Sequence, residues 1–178
     1  MRVRWTVAVA LVALIGCASG EDDSNDKDTD TGTTASDTAD TSSEDTGPEY
    51  TIWTGDSLVF EKPDFGDPTD PSNQDAISEF VALTRGESGS LFNVITEAEA
   101  ASTSPEGTEW SEGTTADIGS LEFEPLKTAA GRQMNSVPGT DFVLHLIEED
   151  IYIDVTFLSW TSGNNSGGGF SYERSTPN

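Results

Sequence analysis

The run EEDIYIDVTFLSW, residues 148–160, carries the side chains of this chain best suited to chemistry. On an extended strand, side chains alternate between faces. Asp150, Tyr152, Asp154, Thr156 and Trp160 then share one side, while Ile151, Ile153, Val155 and Phe157 share the other. Carboxylates interleaved with aromatic rings suit a groove that handles sugar, because rings stack on the apolar faces of pyranoses and carboxylates accept their hydroxyl hydrogen bonds. Glycoside hydrolysis asks for two carboxyls about 5 to 10 Å apart. Asp150 and Asp154 stand four residues apart, roughly 13 Å by strand rise, which is too far for that pair. The plainer alternative is a solvated polar face whose aromatics pack across strands. If the face is functional, binding stands ahead of hydrolysis.

A second group is the Pro-rich loop DFGDPTDPSNQD, where Asp64, Asp67, Asp70, Asn73 and Asp75 crowd together. Hard oxygen donors at that density suit calcium, which takes six to eight oxygens and tolerates irregular loops. Bound there, calcium would be a structural staple and not a catalyst. The alternative is a solvated loop whose Asp side chains cap turns. His145, the only histidine, sits in VLHLI between apolar neighbours. No nucleophile elbow of the G-x-S-x-G form accompanies it, and no Cys or further His offers a zinc set, so it reads as a strand histidine with satisfied partners. The loop TSGNNSGGG reads as a mobile hairpin tip, since its three closing glycines lack the following Lys and helix of a phosphate loop.

These residues must be positioned by short strands. From Tyr50 onward the chain reads YTIWTG, SLVFEK, AISEFVALTRG, SLFNVITEAEA, TEWSEGTT, IGSLEFEPL, DFVLHLI, IYIDVTFLSW and GGFSYERS. The pieces are β-branched and aromatic, with Gly, Pro, Asn or Asp between them at intervals of about 8 to 12 residues. Glu148-Glu149-Asp150 is the expected turn between two long antiparallel strands. Eight or nine such strands without alternating helices predict an all-β fold, an antiparallel β-sandwich of jelly-roll-like type, over residues 49–178.

Composition narrows the partners. Asp and Glu number 33 against 8 Lys and Arg, for a formal net charge of −25. Nucleic acid binding needs clustered cations to release counterions, and no basic cluster stands out, so nucleic acid is excluded as a partner. Glu21 to Pro48 is rich in Asp and Thr. It holds too little apolar surface to offset its ordering entropy and is expected to be a disordered tether.

The N-terminus carries an address. Arg2 and Arg4 precede the apolar stretch Thr6 to Gly16. That is the layout of a signal peptide, over 1–16. The stretch is well short of the roughly 20 residues of a membrane-spanning helix. Leu14-Ile15-Gly16-Cys17 resembles the lipobox of bacterial lipoproteins. The resemblance implies a diacylglycerol on the Cys17 thiol and often a further chain, palmitate for example, on its amine. It also implies export and, in a host with two membranes, an outer-membrane place. Two or three acyl chains anchor stably, at about 0.8 kcal/mol per buried CH2. Cys17 is the only cysteine. The domain must therefore fold without disulfides.

The ending DIYIDVTFLSW…GGGFSYERSTP also resembles an uncharacterised β domain of secreted bacterial proteins, together with NQD, Thr84-Arg85, Ser104-Pro105 and Trp110. That group implies no activity. The sequence therefore predicts a lipid-anchored envelope protein bearing a non-catalytic binding or structural module for glycan or a surface protein. A carboxylate-based polysaccharide hydrolase is the competing class, although EEDIYIDV departs from the E-x-D-x-x-E pattern of sandwich-fold glucanases.

Overall fold

The structure, a computed structural model, describes residues 50–163 and 165–178. The expected signal peptide over 1–16, the expected lipidation of Cys17 and the expected tether over 17–48 lie outside the described residues.

The described chain forms an antiparallel β-sandwich. Its strands are β1 (Thr51–Trp53), β2 (Ser57–Lys62), β3 (Asp75–Ala76), β4 (Ala82–Arg85), β5 (Leu91–Asn93), β6 (Thr108–Glu112), β7 (Asp141–Leu146), β8 (Ile151–Trp160) and β9 (Phe170–Ser175). The larger sheet runs β2-β9-β8-β7-β6, and the smaller runs β3-β4-β5. β1 joins the larger sheet by a parallel pairing, Thr51–Trp53 beside Ile151–Ile153, while β9 takes Val155 to Trp160 on β8. β8 is the longest strand, with ten residues. At the usual rise such a strand spans roughly 33 Å, enough to carry both short partners.

The expected alternation in β8 holds through Phe157: Ile153, Val155 and Phe157 are all buried. They meet Phe142, Leu144 and Leu146 of β7, Trp110 of β6, and Phe170 and Tyr172 of β9 in one core cluster. Leu83 and Leu91 of the smaller sheet enter the same cluster. Past Phe157 a bulge intervenes, and pairing resumes as Ser159↔Ser171 and Trp160↔Phe170. A bulge inserts one unpaired residue and so inverts the facing of the residues after it. Leu158 is that unpaired residue, and it lies 46 % exposed.

Two further expectations are corrected. IGSLEFEPL forms no strand: Thr115–Ser120 is a 3-10 turn, and only Glu124 pairs briefly with Trp110 on the edge of β6. Pro125 then leads into the short helix α1 (Leu126–Ala129). Its fixed backbone and missing N–H suit a helix start, where that donor would go unused. The glycines after TSGNNS are a packed corner and not a mobile tip, since Gly167, Gly168 and Gly169 are all buried. At Gly168, φ is +63° and an added Cβ would collide with the Gly86 carbonyl oxygen. Only glycine fits there.

The two sheets are tied by polar bonds across the core. Asp75 of β3, 5 % exposed, accepts from Arg174 Nε at 2.7 Å and Arg174 Nη2 at 2.9 Å, and from Tyr172 Oη at 2.6 Å. Burial works against the charge of Arg174, but the Asp75 carboxylate outweighs it and holds the guanidinium above its ordinary pKa. Burial, and then the Asp75 charge, push the Tyr172 phenol well above its own ordinary value.

Asp75→Asn leaves Arg174 buried without its counter-charge and is expected to reduce unfolding free energy by about 3–5 kcal/mol, measured by urea titration. Tyr172 makes the folded state hold a proton that the unfolded chain releases near pH 10. Its contribution is full below that pH and is lost as pH rises toward the higher folded value. Unfolding midpoints are therefore expected to fall above about pH 10, and Tyr172→Phe should flatten that fall.

Candidate functional site

The outer face of the larger sheet gathers part of what the sequence predicts. Tyr152 lies opposite His145 on β7, and His145 lies opposite Glu109 on β6. The Tyr152 and His145 rings stack with centroids 4.2 Å apart and planes 5° apart. Phe123 and Tyr50 meet Tyr152 edge-on at 5.4 and 5.2 Å. Asp150, at the close of the β7–β8 turn with φ +51°, bonds His145 Nε2 at 3.0 Å, and Glu109 approaches Nδ1 at 3.8 Å. Burial, then the Asp150 charge, hold the Tyr152 phenol above its ordinary pKa.

Asp154 shares this face but is committed elsewhere. It accepts from Thr115 N–H at 2.7 Å and from Thr115 Oγ1 at 2.8 Å, which holds the 3-10 turn against β8. Trp160 is not on this face. The bulge turns it to the core side, beside Phe170 and Phe157. The expected row Asp150–Tyr152–Asp154–Trp160 is therefore corrected to a cluster of Tyr50, Phe123, His145, Asp150 and Tyr152.

The five oxygen donors expected for calcium do not gather either. Asp67 accepts from the N–H and hydroxyl of Thr69, and Asp70 accepts from those of Ser72. Asp64 accepts from Gly169 N–H at 2.8 Å. Asn73 donates to the Asp67 carbonyl, and Asp75 is in the buried clamp. Turn-closing N–H and hydroxyl donors hold the Asp67 and Asp70 carboxyls below their ordinary range, and the Thr161 hydroxyl followed by Gly169 N–H does so for Asp64. Among the described residues, no three His, Cys, Asp or Glu side chains converge to hold a metal ion.

A different site forms where Trp160 goes. An open cavity of about 390 Å³ lies between the turn after β4, the end of β8 and the segment following α1. Arg85, Ser90, Lys127, Arg132, Met134 and Trp160 are among its lining residues. The Arg85 guanidinium lies 3.8 Å over the Trp160 ring and donates to the carbonyls of Gly89, Thr161 and Gly169. Burial lowers its pKa to about 10, so it remains a cation at neutral pH. Lys127 and Arg132 come together through the close of α1. Gly131 N–H donates to the Thr128 carbonyl and Arg132 N–H donates to that of Lys127, a Schellman closure. Gly131 and Arg132 both take left-handed φ, +59° and +63°.

Sequence reasoning passed over this pocket. Its signal was scarcity: residues 50–178 contain five cations, Lys62, Arg85, Lys127, Arg132 and Arg174, and LKTAAGRQ holds two of them. A larger cavity, about 600 Å³, lies beside Phe92, Val94 and Ile95. Its one acid, Glu97, is occupied by the N–H groups of Asn93 and Glu106 and by the Ser104 hydroxyl. Compared with known proteins, the chain matches no family model, no curated protein and no solved structure.

Asp154→Ala removes two hydrogen bonds to a charged acceptor. It is expected to lower unfolding free energy by about 2 kcal/mol, and to speed amide exchange at Thr115 to Ser120 more than elsewhere.

Proposed function

We propose that this chain is an exported protein held to the membrane, at the outer membrane or cell surface, by lipid on Cys17. It presents a non-catalytic binding module to glycan or to another surface protein, and nucleic acid is not among its partners. The observation that carries the binding reading is the use made of the carboxylates. Asp150 bonds His145, Asp154 holds Thr115, Asp64 holds the distant Gly169, Asp67 and Asp70 close turns, and Asp75 is in an ion pair. A carboxylate-only hydrolase needs one acid free to protonate a leaving group and a second free to attack or to activate water. Here the candidate acids serve architecture, while the aromatic face and the cation-lined pocket offer surfaces that recognise without reacting. The lipid anchor rests on Leu14-Ile15-Gly16-Cys17 and the short apolar stretch before it.

Two measurements test this reading. Cells making the full chain should incorporate labelled palmitate and carry the protein in the membrane fraction, and Cys17→Ala should abolish both. Palmitate incorporation that survives Cys17→Ala would overturn the anchor. The full chain in detergent, incubated with a panel of neutral and acidic polysaccharides, is expected to bind at least one without releasing reducing ends. Time-dependent release would make it a hydrolase instead.

A further inference from the structure

Residues 50–178 keep five cations against a large excess of Asp and Glu. Two of the five are buried away from this pocket: Arg174 pairs with Asp75, and Lys62 is 1 % exposed. The remaining three, Arg85, Lys127 and Arg132, line one cavity, and no acidic side chain among the described residues lines it. Cavities elsewhere, beside Ile95, Leu121 and Ala100, each include at least one Glu.

Two features mark a built site. Arg132 holds a left-handed backbone. Gly or Asn adopts that conformation more easily, so the position carries a guanidinium against local preference. Arg85 is fixed by three carbonyls and a ring, a charge whose geometry is set before anything binds.

We propose that this pocket binds the acidic group of a sugar, a uronate carboxylate or a sulfate ester. Lys127 and Arg132 contact the oxyanion, and Arg85 supplies a fixed positive floor. Trp160 and Met134 give the sugar ring an apolar wall, while Ser88, Asn135 and Ser162 offer hydroxyl and amide partners. The volume falls in the range of small-ligand sites. The inference rests on the binding-module reading and names the ligand class of one of its surfaces.

The test titrates the full chain in detergent with trigalacturonate, with inorganic sulfate and with a neutral galactose oligomer, followed by tryptophan fluorescence and calorimetry. Trigalacturonate or sulfate is expected to bind and the neutral oligomer is not. Lys127→Gln and Arg132→Gly should each weaken binding about tenfold to a hundredfold. Arg132→Gly relieves a left-handed residue, so it should keep the thermal midpoint while weakening binding. Whichever anion binds tells carboxylate from sulfate ester. Failure of both anions, or binding indifferent to Lys127→Gln and Arg132→Gly, overturns the proposal. If the chain then still holds a neutral polysaccharide, the binding-module reading survives without the anion pocket. If it holds none, the glycan half of that reading falls with the pocket and a surface protein is left as the partner.

Discussion

The buried bond between Asp75 and Arg174, with the Tyr172 hydroxyl on the same carboxylate, is the contact on which the sandwich depends. The smaller sheet has three strands of two, four and three residues. Strands that short make few ladder bonds and stand only when packed against something larger. Leu83 and Leu91 supply the apolar part of that packing. Apolar contact is non-directional and does not by itself fix how one sheet lies on another. A bidentate guanidinium–carboxylate pair has one good geometry. Here it joins β3, at one end of the smaller sheet, to the sequence-distant β9.

Arg85 plays the same part from the neighbouring strand, with carbonyls in place of a carboxylate. Its bonds to Thr161 and Gly169 fasten both ends of the β8–β9 connection to the smaller sheet, and the approach of Gly168 to the Gly86 carbonyl completes that seam. Asn93 closes the other side: its amide donates to the Phe80 and Glu106 carbonyls while its oxygen accepts from Ala82 N–H. Each of these buried polar groups is satisfied by backbone, which is what makes it a specifying contact instead of a penalty.

The chain's charge is divided between interior and surface. Asp75 is the one buried carboxylate among the described residues, whereas Lys62, Arg85 and Arg174 are all buried. Acids placed at the surface keep an acidic domain soluble, although their mutual repulsion opposes compactness. Arg85 and Arg174, drawn inward, take up inter-sheet roles. That leaves Lys127 and Arg132 as the exposed positive charges of residues 50–178, side by side at one cavity.

Local pattern was enough to read most strands. The alternation in IYIDVTFLSW and its EED turn, and the runs SLVFEK and DFVLHLI, became β8, β2 and β7. Period-two burial is a property of the segment itself. The face of Trp160 was not legible, because the bulge before it is set by how β9 pairs. The acidic loop misled for a related reason: five donors close in sequence found five different partners, two of them on or beside β9. The cation pocket was illegible because Arg85 and Lys127 lie far apart in the chain. By itself, then, the sequence determined composition, charge, the alternating strands and hence an all-β sandwich, since these follow from local periodicity and residue type. Tertiary structure alone decided which face Trp160 takes, which carboxylate is buried and where the scarce cations meet. Each of those outcomes is set by partners brought together across the fold, and no local pattern encodes them.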